Sequence, residues 1–154
     1  MTDQKYIRQA IDLSKKSFDK GYFPAGSLVV QSGKILSTEI SSPYPGHQHA
    51  DSKAVDNAFE NYGDKLVSAT LYSSMEPCLM CISRAYWAGI RRIVFACSQT
   101  AVSREYFETG ASIDKIVSAF NEDVELVHLK DFQSEAIQVV RKWEKKVKNG
   151  QHIT

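Results

Sequence analysis

Apolar residues recur at helical spacing between residues 4 and 20, where Ile7, Ala10, Ile11, Ser14 and Phe18 share one face and Gly21 offers a stop. Two runs of β character follow, 27–31 and 34–40, and the Ser32-Gly33 pair between them predicts a hairpin. Residues 41–48, SSPYPGHQ, hold two prolines and a glycine and read as loop. A second helix is predicted over 49–61, with Ala54, Val55, Ala58 and Phe59 turned inward and Gly63 closing it. The run 68–73 reads as a strand. Pro77 then opens a third helix, where its missing N–H costs nothing, and Gly89 ends it. Residues 92–96 (RIVFA) form a short buried strand, and helix is expected within 101–120. A last strand is predicted over 124–128. A final amphipathic helix follows over 133–148, with Ala136, Val140, Trp143 and Val147 inward.

This alternation predicts an α/β fold, with one five-stranded mixed sheet covered by helices on both faces as a three-layer α/β/α sandwich. The later strands are separated by helices and are therefore expected to run parallel. A length of 154 residues suits one domain over 1–154. With 43% apolar and 24% charged residues, disordered and fibrous classes are set aside. Lys plus Arg number 19 against 18 Asp plus Glu, so the chain lacks the basic excess of a phosphate-driven nucleic-acid binder. Cys78, Cys81 and Cys97 make no disulfide framework, which fits a reducing compartment. No apolar run approaches the roughly 20 residues of a membrane span, and the charged N-terminus lacks an apolar signal core. A cytoplasmic protein with no membrane partner is the expectation.

Two short segments carry the chemistry, His49-Ala50-Asp51 and Pro77-Cys78-Leu79-Met80-Cys81. Cysteines three apart at a helix start can turn both sulfurs to one side. The positive end of the helix favours thiolates there. A histidine from another helix start makes three ligands. Three protein ligands leave the fourth tetrahedral position of a Zn2+ ion open, the arrangement of a catalytic site. A purely structural zinc site would need a fourth ligand, for which His47 or Asp51 are the available side chains.

These segments resemble the zinc-dependent nucleobase and nucleoside deaminases, whose pattern is H-x-E…P-C-x-x-C. The resemblance runs from about residue 23 to 97. It includes Phe23-Pro24-Ala25-Gly26-Ser27-Leu28-Val29-Val30, Thr70-Leu71-Tyr72 before Glu76-Pro77-Cys78, and Arg92-Ile93-Val94-Phe95-Ala96. It implies a cytidine deaminase-like fold, with His49, Cys78 and Cys81 as metal ligands and Asp51 as the proton shuttle for a zinc-bound hydroxide that attacks the amino-bearing ring carbon. Asp51 departs from the pattern, which has a glutamate there and so a side chain one methylene longer. Thr38 is a second departure, at a position eleven residues before the histidine where the family often places a base- or sugar-binding asparagine.

The implied substrate is a small-molecule purine base or nucleoside, with guanine first. Trp87 resembles a tryptophan that shapes the base pocket in bacterial guanine deaminases, and packing of Trp87 in the core is the equal alternative. Ala50 and His47 are candidate substrate contacts, through a backbone amide at the helix start and from the loop at the pocket rim. Segment 106–108 falls where such sites are often closed. The run Arg141, Lys142, Lys145, Lys146 and Lys148 could grip a tRNA, but it is interleaved with Glu144 and reads first as a solvated helix face. tRNA adenosine therefore ranks below a free base, and cytosine or cytidine stays open. The resemblance also implies a homodimer. The rival reading is a non-catalytic zinc-binding subunit that keeps the fold.

Overall fold

The computed structural model describes residues 2–63 and 66–148. Helix α1 (Thr2–Asp19) leads into the hairpin of β1 (Gly26–Gln31) and β2 (Lys34–Ile40). Then come α2 (Ala50–Tyr62), β3 (Thr70–Met75), α3 (Leu79–Ala88) and β4 (Arg92–Cys97). The chain closes with α4 (Ile113–Ser118), β5 (Glu125–His128) and α5 (Gln133–Lys148). The hairpin turns as expected at Ser32 and Gly33, both at positive φ (51° and 76°), the geometry that a two-residue turn between twisted strands demands.

The sheet has the order β2-β1-β3-β4-β5. β1 is antiparallel to both neighbours, and β3, β4 and β5 run parallel, as the intervening helices require. Alternation along the strands divides the core in two. Leu28, Val30, Tyr72 and Val94 face α1 and α5, whose Ile7, Ala10, Ile11, Ala136 and Val140 cover them. Val29, Leu71 and Ile93 face α2, α3 and α4, meeting Ala54, Val55, Ala58, Ile82, Ala85 and Val117. This is the expected three-layer α/β/α sandwich. Gly26 sets the spacing of one layer: a Cβ there would stand 2.4 Å from the Ala10 carbonyl oxygen, so a residue without one lets β1 press directly on α1. Among the described residues, no helix is long and apolar enough to cross a membrane.

The structure departs from the expected elements in three places. Strand β3 starts two residues later than predicted, because a turn from Leu66 to Ala69 precedes it and its far end pairs Met75 with Cys97. Helix α3 likewise starts at Leu79, with Cys78 still extended as its N-cap. Phe59 and Val147, expected inward, are exposed, since each lies at the edge of its helix's apolar stripe near the C-terminal end. The helix expected within 101–120 is the short α4, and the rest of that segment is irregular. Ser98 and Ser103 each accept a backbone N–H two residues on and start 3-10 turns, Gln99–Ala101 and Arg104–Tyr106, before the short α4.

One polar cluster ties the chain's beginning to the sheet. Arg92 donates to both oxygens of Asp3 at 3.0 and 2.7 Å, and the Tyr72 hydroxyl donates to Asp3 at 2.6 Å. The Arg92 bonds hold the Asp3 carboxyl below its ordinary value despite partial burial. A lowered pKa in the fold means that the stabilisation is full above the unfolded value and fades as pH falls through the folded one. Asp3→Asn is therefore expected to cost about 1 kcal/mol at pH 7, with the gap to the parent closing below about pH 4. Urea denaturation at a series of pH values from 7 downward checks it, and a gap that fails to narrow as the pH falls below the ordinary carboxylate value would refute the assignment.

Candidate metal centre

Helices α2 and α3 begin side by side beyond the end of β3, and each has a metal-capable residue at its N-cap position. His49 is the N-cap of α2 and Cys78 the N-cap of α3, with Cys81 one turn further along α3. The backbone N–H of His49 donates to Ser52 Oγ at 2.9 Å, and the Ser52 hydroxyl donates back to the His49 carbonyl at 3.0 Å, which fixes this helix start. The His49 Nε2–H donates to the Gly46 carbonyl at 3.0 Å. A carbonyl can only accept, so Nδ1 is left as the lone-pair nitrogen.

His49 Nδ1 lies 3.4 Å from Cys78 Sγ and 3.6 Å from Cys81 Sγ, and the two sulfurs are 3.6 Å apart. A tetrahedral zinc with Zn–S about 2.3 Å and Zn–N about 2.0–2.1 Å requires edges of about 3.8 Å and 3.6 Å. The three donors fit that ion in both spacing and chemistry, and among the described residues they form the one such group of three. Cys81 close by holds the Cys78 thiol below its ordinary value, with His49 adding to the effect. Cys81 itself is pushed well up by Cys78 and by burial. Contact with Cys78 raises His49 against the effect of burial. In the bare protein Cys78 thus leans toward thiolate, His49 toward imidazolium and Cys81 toward the neutral thiol, so a metal bound there would displace protons from His49 and Cys81.

The donors open onto a cavity of about 260 Å³ lined by His49, Cys78, Ala50 and Asp51. That volume suits one small planar molecule and sits just under the usual range of roughly 300–1,000 Å³ for ligand pockets. Asp51 is buried in the first turn of α2, and the Ser27 hydroxyl donates to its Oδ1. Burial pushes its carboxyl up to about 6, against the Ser27 and Ser73 hydroxyls, which lower it. Ser73 Oγ acts on that carboxylate as a close dipole without meeting full hydrogen-bond geometry.

Aromatic rings form another wall. Phe23, Tyr44 and Tyr106 line the cavity with centroids 5.0–5.8 Å apart, and Trp143 packs edge-on behind Phe23 at 5.1 Å. Glu108, from the segment after β4, accepts the N–H groups of Leu79 at 3.0 Å and Met80 at 3.1 Å. It satisfies two orphan donors at the start of α3 and ties segment 105–108 to the metal helix.

The structure brings together His49, Asp51, Cys78, Cys81 and Ala50. It does not bring Thr38, His47 or Trp87 to the cavity. Thr38 is exposed on β2, opposite Leu28 and on the other pleat from Ser37, whose hydroxyl reaches the α2 carbonyl of Ala54. His47 points outward between Gly46 and Gln48, which do line the cavity. Trp87 is 83% exposed, neither in the core nor at the pocket, because Cys81, Ile82, Ala85 and Ala88 take the buried face of α3. It lies instead beside Phe59 and the Asp56–Arg84 ion pair in a shallow groove between α2 and α3. Glu76 accepts the Gln99 N–H at 2.8 Å, His128 stacks on Phe95 and bonds the Ala96 carbonyl, and Cys97 is buried. All three hold backbone or core. Sequence reasoning missed Ser27 and Ser73 beneath Asp51. The available signal was a serine at an inward position of an otherwise apolar strand.

The profile described as "Cytidine and deoxycytidylate deaminase zinc-binding region" matches residues 1–97, and the chain belongs to that family. The donors that fit its zinc are His49, Cys78 and Cys81. A probable cytosine deaminase of Schizosaccharomyces pombe is 35% identical over 99 residues, 62% of this chain and 60% of that protein. A tRNA-specific adenosine deaminase of Bacillus subtilis is 31% identical over 97 residues, 60% of each. The match thus spans about 60% of the length of these curated relatives. The crystal structure of guanine deaminase from Nitrosomonas europaea superposes with a TM-score of 0.77 over 91% of this chain and 83% of that one, at 19% identity, and so shares the fold.

Proposed function

We propose that the protein is a zinc-dependent hydrolytic deaminase of a purine base or nucleoside, with guanine as the first substrate. The observation that carries this reading is a buried carboxylate, Asp51, on the same cavity that His49 and Cys78 line. A zinc ion on the three donors supplies a Lewis acid that makes water nucleophilic near neutral pH. Asp51 accepts one proton of the attacking water and passes it to the adjacent ring nitrogen, then takes the second proton from the hydroxyl now on carbon and delivers it to the amino group, which leaves as ammonia while the carbonyl forms. Phe23, Tyr44 and Tyr106 offer faces for a flat heterocycle. The carboxylates of Glu105 and Glu108 on the lining are acceptors, complementary to the N–H-rich edge of guanine.

Relatives named for cytosine and for tRNA adenosine keep those substrates as alternatives. For tRNA, the support is the exposed Arg141, Lys142, Lys145 and Lys146 on α5. The exposed Trp87 beside Phe59 supports a homodimer through the α2–α3 face. Three free thiols fit a cytoplasmic protein. A non-catalytic zinc subunit is the second reading, favoured by the two departures from the family pattern, Asp51 in place of the longer glutamate and Thr38 in place of asparagine.

Ammonia release by the zinc-loaded protein, offered guanine, guanosine, adenine, adenosine, cytosine and cytidine with a chelated control, separates these readings. Zinc-dependent release from guanine is the expected result. Silence over the panel, with zinc at about one per chain, would overturn the proposal in favour of a subunit or a tRNA substrate.

A further inference from the structure

We infer that Ser27 and Ser73 form a hydroxyl platform in the sheet that positions the Asp51 carboxylate for proton transfer. The inference rests on the deaminase reading for its consequence, but its geometry stands alone. Ser27 on β1 pairs directly with Ser73 on β3, so their side chains rise from the same pleat. Val29 and Leu71, two residues along each strand, pack under α2 and α3, so the serines point to that layer. Both are buried, and Asp51, second residue of α2, lies over them.

A hydroxyl at a fully buried position of a central strand costs stability unless it is bonded, and Leu28, Val29 and Val30 next to it are all apolar. Ser27 spends its proton on Asp51 Oδ1. That bond removes the free rotation of the carboxylate and leaves the second oxygen as the edge that takes and gives the proton. The platform belongs to the rigid sheet, whereas the metal ligands belong to the two helix starts. Asp51 is therefore held from below by one element and set relative to the zinc donors by another. A general base displaced by about 1 Å can lose on the order of 100-fold in rate, which is the scale of effect such anchoring protects.

The test compares zinc-loaded parent, Ser27→Ala, Asp51→Ala and the double variant, with Ser73→Ala as an independent probe of the same platform. Zinc content is expected to stay at the parent level in all of them. Ser27→Ala is expected to lower kcat by about 10- to 100-fold while KM changes less than about threefold, the pattern of a misplaced proton carrier. Ser73→Ala should follow in the same direction with a smaller loss. Thermal denaturation gives the readout that does not depend on turnover. Ser27→Ala should lower Tm by about 2–4 °C when Asp51 is present and by less than half of that in the Asp51→Ala background. Equal Tm losses in both backgrounds would overturn the contact, and an unchanged kcat in an active protein would overturn the positioning role. If the parent itself is silent over the whole substrate panel, the deaminase reading falls, and the Tm cycle alone decides whether Ser27 fixes Asp51.

Discussion

Asp51→Ala is expected to reduce ammonia release by on the order of 10²- to 10⁴-fold, the usual contribution of a positioned acid–base group, while zinc stays bound. The two halves of this expectation come from different observations. Asp51 is outside the donor group of His49, Cys78 and Cys81, so its loss removes no ligand. It is the buried carboxylate beside those donors on the cavity, so its loss removes the proton route. Asp51→Asn refines the point. The amide keeps an acceptor for Ser27 and nearly the same shape, but it cannot take up a proton, so it should be as inactive as the alanine while costing less stability. Zinc analysis and a coupled ammonia assay on the same preparations decide the matter. An Asp51→Ala protein with parental turnover would remove Asp51 from the mechanism.

Cys81→Ala should act on zinc and activity together. Cys81 is fully buried and its sulfur closes the donor triangle, so the variant leaves two ligands and is expected to lose bound zinc under dialysis. Turnover should then fall by at least about 10³-fold, since metal-assisted activation contributes several kcal/mol. Stability should fall as well. The metal would clasp the starts of α2 and α3, and a ligand bound only by the folded state adds stability in proportion to the logarithm of its saturation. Chelation of the parent is accordingly expected to lower Tm by on the order of 10 °C, reversibly on adding zinc. Cys81→Ser, close to the original in size, separates packing from ligation. A zinc content equal to the parent's in either variant would mean that the metal sits elsewhere.

Much of the fold was legible because its signals are local. Ser32-Gly33 between two β runs announces a hairpin, and Gly63 and Gly89 stand where α2 and α3 end. The metal donors were legible for the same reason, since Cys78 and Cys81 share a helix turn and His49 begins another. Residues whose place depends on distant partners were not. The two-residue delay of β3 follows from its pairing with β4, and the broken course of segment 101–120 follows from the serine-capped turns and from aromatic side chains drawn to the cavity wall. Trp87 is a different case. It was expected in the pocket or in the core and meets neither expectation, because the buried positions 81, 82, 85 and 88 define a stripe that leaves residue 87 outside. Ser27 could be marked as odd from sequence, but naming Asp51 as its partner required the register of β1 against β3 and the seat of α2 above them.

The division of the cavity between framework and loops has an evolutionary consequence. His49, Asp51, Cys78 and Cys81 rest on helix starts and sheet, whereas, beside Phe23, most of the wall that would meet a substrate comes from residues 41–46, Gln48 and residues 105–108. The family match ends at residue 97, before the second of these wall segments begins. Insertions and exchanges there can reshape the space around a ring without moving a donor atom, because surface loops accept change that packed layers refuse. One inherited metal platform can thus be refitted to successive heterocycles by editing two short stretches of chain. Grafting segment 105–108 between members of the family is the economical route to exchanging their preferences.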